Sequence, residues 1–117
     1  FRNIKSLQQH THTHRYSASK AACNKLTRTL AGFLNKYNIC VNAIAPAVFP
    51  SRMTHSYMLA DQDRKAMISR THPVGRVGNE SDMAGAALFL ASKASAFVTG
   101  TVLNLDGGSV AIRRSMY

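Results

Sequence analysis

YSASKAACNKLTRTLAGFLNKYNICVNAIAP, residues 16–46, decides the fold: a stretch with helical spacing passes through an asparagine into a short apolar run that stops at a proline. Apolar side chains at Ala18, Ala22, Leu26, Leu30, Phe33, Leu34 and Tyr37 recur three and four apart, which gathers them on one face of a helix from Ser17 to Asn38. Ser17 or Ser19 caps its start, and Asn38 takes the left-handed turn that ends it. ICVNAIA, residues 39–45, is near-continuously apolar rather than alternating. That is the pattern of a strand covered on both faces, and Pro46 ends it.

Working outward, the segment from Pro46 to Ala60 is broken by Pro46 and Pro50 and reads as a long loop, a common place for function. Asp61 to Thr71 reads as a short helix, interrupted by HPVGRVG with Pro73, Gly75 and Gly78. A third helix starts at a cap from Asn79 or Ser81 and runs to about Ser95. Val102 to Leu105 is a second strand, ahead of Gly107 and Gly108. Helix, buried strand, loop, two helices and strand describe the tail of a layered α/β domain with a parallel sheet. Two strands do not make such a sheet alone, so residues 1–117 read as one incomplete domain. Phe1 rather than methionine in first place carries the same expectation, a piece of a longer reading frame.

The formal charge of +10 comes from fifteen Lys and Arg against five acids, none of them before Asp61. Such a balance favours anionic partners. The cations Arg15, Lys20, Lys25, Arg28 and Lys36 are scattered, however, and no aromatic side chains interleave them as a base-stacking surface requires. A basic nucleic-acid-binding module is therefore the lesser reading. The 45% hydrophobic share excludes a disordered chain. Cys23 and Cys40 are too far apart for a CxxC pair and read as reduced, buried thiols of an intracellular protein. No segment has the length and apolarity of a bilayer span, and residues 1–20 have no signal-peptide hydrophobic region.

Tyr16 and Lys20 stand at i and i+4, so both can face one side of the helix. An ammonium beside a phenol favours its ionised form, which suits the phenol to general acid and base work. Tyr-x-x-x-Lys alone arises by chance in roughly one chain of this length in five. Just before it, HTHTH sets His10, His12 and His14 at alternate positions. They would share one face of an extended segment and could hold zinc or copper weakly, but no metal site is assigned.

The order of motifs is more specific. Tyr16-Ser17-Ala18-Ser19-Lys20-Ala21-Ala22, the long helix, Val41-Asn42-Ala43-Ile44-Ala45-Pro46 and Asn104-Leu105-Asp106-Gly107-Gly108 together resemble the C-terminal half of the short-chain dehydrogenase/reductase family, in its ketoacyl-reductase-like members, from about Ile4 to Gly108. The resemblance implies a Rossmann-type doubly wound parallel sheet in three α/β/α layers, of which this chain supplies the C-terminal portion. It implies NAD or NADP as cofactor, and hydride transfer to or from a small alcohol or carbonyl substrate. Tyr16 becomes the general acid or base, and Lys20 the ligand of the nicotinamide ribose; both are counted as cofactor contacts. Pro46, Ala47, Phe49 and Ser51 become the loop that meets the nicotinamide carboxamide through backbone groups and a hydroxyl. Residues from Met53 to about Thr71 become the substrate lid, with Met53, Tyr57, Met58, Leu59 and Met67 suiting an apolar substrate or simply packing. By the same resemblance a dimer or tetramer forms through Leu26 to Phe33 and Val102 to Leu105, and the histidines lie in the loop leading into the active-site helix, at the mouth of the substrate cleft.

Three features depart from the family. The Gly-rich phosphate turn, the residue that selects NAD or NADP, and an Asn-Ala-Gly strand motif precede the tyrosine there and do not occur in this sequence, so the isolated chain is expected to be inactive. Asn3-Ile4-Lys5-Ser6 resembles the end of the family's serine strand, which makes Ser6 the counterpart of the catalytic serine. Ala47 stands where the family has glycine; if that position needs a positive φ, alanine costs about 1 kcal/mol. A non-catalytic homologue acting only by association is the competing class; apolar surface left by the missing half predicts poor solubility for the isolated chain.

Overall fold

Helix α1 begins well upstream of its expected start. The computed structural model describes residues 4–57 and 61–111, and the side chains among them other than those of residues 4–13, 53, 55 and 57. In it α1 spans Ile4–Leu34. No glycine or proline occurs before Gly32, so no backbone constraint halts the helix as it extends upstream through the histidines.

Three expectations are corrected by this single element. Neither Ser17 nor Ser19 stands at a helix start; Ser19 Oγ instead donates to the Tyr16 carbonyl at 2.7 Å, bonding back inside the helix. Positions 10, 12 and 14 are helical rather than a loop; position 12 is turned by about 200° from both others, so the three do not share a side, although 10 and 14, four apart, do. Residues 4–6 are the first turn of α1 rather than the end of a strand, and Asn3 lies outside the described residues. At the other end the expectation holds: α1 tightens into a 3-10 turn, Asn35–Tyr37, closed by Asn38 at φ 59 and ψ 31.

The chain divides into two compact units, Phe1–Ala43 with Thr99–Thr101 and Ile44–Val98 with Val102–Tyr117. In the first, Thr27 and Ala31 are the buried positions among the described residues, and a Cβ built on Gly100 would lie 3.4 Å from that of Ala31. So close an approach of backbone to helix selects small side chains. Leu26, Leu30, Phe33 and Tyr37, expected to be the packed face, are instead exposed, Phe33 to 60%. Lys36 Nζ covers part of this surface, 4.8 Å from the Phe33 ring centre and 4.9 Å from that of Tyr37. Cys23 and Cys40 are exposed rather than buried, and neither forms a disulfide.

Strand β1 is Ala43–Pro46 and β2 is Val102–Leu105. The Ala43 N–H donates to Thr101 O at 3.0 Å and the Ala47 N–H to Leu105 O at 3.1 Å. Both strands advance by four residues in the same direction between these bonds, so the pair is parallel. Residues 43–45 are only half-buried, short of the two-sided burial expected, because the sheet has two strands among the described residues.

The remaining elements belong to the second unit. The segment after Pro46 is not loop throughout: it contains α2, Arg52–Tyr57. Helix α3, Gln62–Thr71, is capped by Asp61, whose carboxylate accepts the Asp63 N–H; it stops at His72, which takes the extended backbone that Pro73 requires. Helix α4, Glu80–Ala91, opens with a capping box between Asn79 and Asp82, which selects Asn79 over Ser81 as the cap. It ends sooner than expected, at Ser92, whose side chain then caps a separate 3-10 turn, Lys93–Ser95. Ile68, His72, Val77 and Ser95 are the buried side chains among this unit's described residues.

Candidate active site

α1 brings Tyr16 and Lys20 together. One helical turn separates them, and Lys20 Nζ lies 5.4 Å from the centre of the Tyr16 ring, over its face. The phenol is 65% exposed, so its hydroxyl is open to a reactant. Ser6 is not brought to this pair. Ten residues of helix, about 15 Å of rise, separate it from Tyr16 along α1, and its side chain lies outside those described.

Pro46, Ala47, Phe49 and Ser51 are gathered by the turn that leaves β1. Ala47 is held to the sheet by its bond to Leu105, and the Val48 carbonyl accepts the Gly78 N–H at 3.0 Å. Asn38 is the sole non-glycine residue with positive φ among the described residues, so Ala47 carries no left-handed strain and the expected penalty does not arise. The backbone N–H groups of Val48 and Phe49 make no hydrogen bond among the described residues. Two successive unspent donors are what a carboxamide oxygen takes. Tyr16 and Lys20 lie in the first unit and this turn in the second.

Thr54 is the organiser of the turn, and the sequence reading passed over it. Its hydroxyl donates to the Phe49 carbonyl at 2.5 Å, accepts the Ser51 N–H at 2.7 Å and lies 2.9 Å from Ser51 Oγ, which in turn accepts the Thr54 N–H at 3.1 Å. This is a capping box at the start of α2, and Ser-x-x-Thr after Pro50 was its available signal. The hydroxyl of Ser51, expected to reach a cofactor, is therefore engaged with Thr54. Of the expected lid, Met67 is exposed; Met58 and Leu59 lie outside the described residues, as do the side chains of Met53 and Tyr57.

A pocket of about 180 Å³ opens beside the same turn, lined by Phe49, His72, Val74, Leu105 and Gly107 among others. Gly107 has φ +59, and a Cβ there would lie 2.7 Å from Val74 Cγ2. Only glycine meets both conditions. At the rim Arg76 forms a two-pronged pair with Asp82, Nη1 to Oδ2 at 2.6 Å and Nη2 to Oδ1 at 2.9 Å. The Arg76 hydrogen bonds, with the Asn79 N–H donating to Oδ2 at 2.8 Å, hold the Asp82 carboxyl down at about 2. Arg76 is correspondingly raised by the same pair. Asp106 accepts the N–H groups of Gly108 and Val110 at 2.9 and 3.0 Å and so shapes the turn after β2. Neither His72 nor the Arg76–Asp82 pair had a signal in sequence spacing, since only the fold places residues 72–82 against the ends of both strands.

The chain is similar to known proteins over most of its length. A family model described as Enoyl-(Acyl carrier protein) reductase matches residues 3–110. The chain is 43% identical over 107 residues to the short-chain dehydrogenase/reductase PhomF of Diaporthe leptostromiformis, covering 87% of this chain and 36% of that protein. It is 46% identical over 96 residues to the 2-dehydro-3-deoxy-D-gluconate 5-dehydrogenase of Dickeya dadantii, covering 82% and 38%. A solved gluconate 5-dehydrogenase from Burkholderia cenocepacia, in complex with NADP and tartrate, superposes with a TM-score of 0.76 at 34% identity, over 84% of this chain and 38% of that one. The chain thus spans little more than a third of the length of these relatives. With the Tyr16–Lys20 pair, the parallel strands and the turn after β1 all falling inside the matched residues, the chain belongs to the short-chain dehydrogenase/reductase family.

Proposed function

We propose that residues 1–117 are the C-terminal portion of one Rossmann-type domain of an NAD(P)-dependent oxidoreductase, which moves a hydride between a nicotinamide and a small alcohol or carbonyl substrate. The observation that carries this reading is the placement of Lys20 over the Tyr16 ring at 5.4 Å, with the phenol open to a reactant. The nicotinamide, when bound, supplies or accepts the hydride. Tyr16 gives its hydroxyl proton to the carbonyl oxygen in reduction, or takes the alcohol proton in oxidation. Lys20, over the face of the Tyr16 ring, can donate to ribose hydroxyls. The Val48 and Phe49 N–H groups serve the carboxamide, while the N–H and hydroxyl of Ser51 both stay on Thr54. Ser6 is left out of this scheme because α1 carries it away from Tyr16.

Relatives named for gluconate derivatives support a polyhydroxylated or keto-acid substrate. Association through the exposed face from Leu26 to Phe33, with Val102 to Leu105, completes the reading as a homo-oligomer of an intracellular enzyme. No helix among the described residues is long and apolar enough to cross a membrane. The test is Tyr16→Phe in the reading frame that carries residues 1–117, followed as nicotinamide-coupled carbonyl reduction. A loss of about 10²–10⁴-fold in kcat is expected, and an unchanged rate overturns the assignment.

A further inference from the structure

His72 is 4% exposed, and its two hydrogen bonds both use Nδ1. The Ile68 carbonyl lies 2.9 Å from Nδ1 and also accepts the Thr71 hydroxyl at 2.7 Å. A carbonyl oxygen only accepts, so Nδ1 must carry a proton and donate. The one proton of Thr71 is already spent on Ile68, which leaves its oxygen, 3.2 Å from Nδ1, as a second acceptor for the same N–H. The neutral ring therefore presents Nε2 as a bare lone pair.

Nothing among the described residues takes that lone pair. Among the described residues no buried polar side-chain atom is without a partner, so Nε2 is in contact with accessible space rather than sealed in the core. His72 lines the pocket beside Phe49, Val74 and Leu105, whose side chains are apolar. The charges at the rim are already committed: Arg76 to Asp82 and to the Val77 carbonyl, and Asp106 to two backbone N–H groups. One acceptor in an apolar wall, with a net negative rim, discriminates against anions and favours a neutral donor. As for size, a cavity of about 150 Å³ accepts benzene, so about 180 Å³ admits a single ring or short chain with one polar substituent.

We propose that this pocket is a binding site for a small neutral alcohol or phenol, whose hydroxyl donates to His72 Nε2 while its hydrocarbon body lies against Phe49, Val74 and Leu105. The site is distinct from the hydride-transfer reading, although Ala47, Val48 and Phe49 contribute to both.

The experiment uses phenol and toluene, which match in size and differ in the donor. Each is titrated into the ¹⁵N-labelled 117-residue chain, and the imidazole nitrogens are followed by long-range ¹H–¹⁵N correlation. Phenol is expected to saturate, to shift the His72 Nε2 signal, and to bind roughly 2- to 10-fold more tightly than toluene, the worth of one neutral hydrogen bond. His72→Phe is expected to erase that difference. Equal affinities in the unaltered chain, phenol saturation without a shift at Nε2, or no saturation by either probe would each overturn the proposal. Should His72→Phe fail to fold, the two probes on the unaltered chain decide the matter. No nicotinamide and no turnover enter the measurement, so its failure leaves the oxidoreductase reading standing, and the reverse holds.

Discussion

The hydroxyl of Thr54 and the carbonyl of Phe49, 2.5 Å apart, tie the first turn of α2 back to the chain leaving β1. The same hydroxyl accepts from the Ser51 N–H, so one side-chain oxygen sets the path of the whole turn. Thr54→Val removes these bonds at nearly constant volume. A loss of about 1–3 kcal/mol in local stability is expected, seen as faster amide exchange at Ser51. Thr54→Ser keeps the hydroxyl and is expected to restore protection; if serine and valine behave alike, the hydroxyl is not what holds the turn.

Gly78 meets the ring of Phe49 where its own side chain would be. Gly78→Ala is expected to destabilise the second unit by about 1–3 kcal/mol in urea unfolding, because the ring must leave its place. Adding Phe49→Ala should make the alanine at 78 nearly harmless. Additive effects of the two changes would show that they do not share the contact.

Asp82 titrates at about 2 against an ordinary value of 3.8. A depressed carboxyl stabilises the folded state above its unfolded pKa and loses that contribution as pH falls through the folded one. The start of α4 should therefore loosen between about pH 4 and pH 2, with the Asn79 and Asp82 amides exchanging faster across that window. Asp82→Asn should remove this step. A carboxyl resonance of Asp82 titrating near its ordinary value would contradict the Arg76 pairing.

Cys23 and Cys40 are exposed, so both are expected to react with a thiol-specific disulfide reagent in the folded chain. Reaction only after denaturant is added would place them in a covered surface. The same measurement on an oligomer would report whether association shields the segment around Cys23.

Lys20→Met keeps length and removes charge. In the reading frame that carries these residues, the expected outcome is a weaker apparent affinity for the nicotinamide together with a fall in kcat of about 10²-fold. An unchanged pair of constants would detach Lys20 from the reaction.

Much of this was legible in order and spacing. Tyr16 and Lys20 could be paired because i and i+4 meet on any helix, and Asn38 could be named as a helix end because it tolerates the left-handed region. The start of α1 was misjudged because serines suit both caps and helix interiors, and only the absence of breakers in the residues before them separates the two. Thr54 was missed although its capping pattern was present, since a stretch flanked by prolines reads first as loop.

What the sequence by itself determined is local: the two strands, the helices that precede and follow them apart from α2, a cap at Asn79 or Ser81, and the Tyr16–Lys20 spacing, all set by dihedral preference and by neighbours within a few residues. Tertiary structure alone decided which positions are covered and which groups meet across long separations. It buried Thr27 and Ala31 instead of the leucine stripe, because the chain at Gly100 approaches α1 too closely for large side chains. It set Phe49 on Gly78 and His72 beside Leu105, because those contacts depend on the path between elements, which periodicity does not encode.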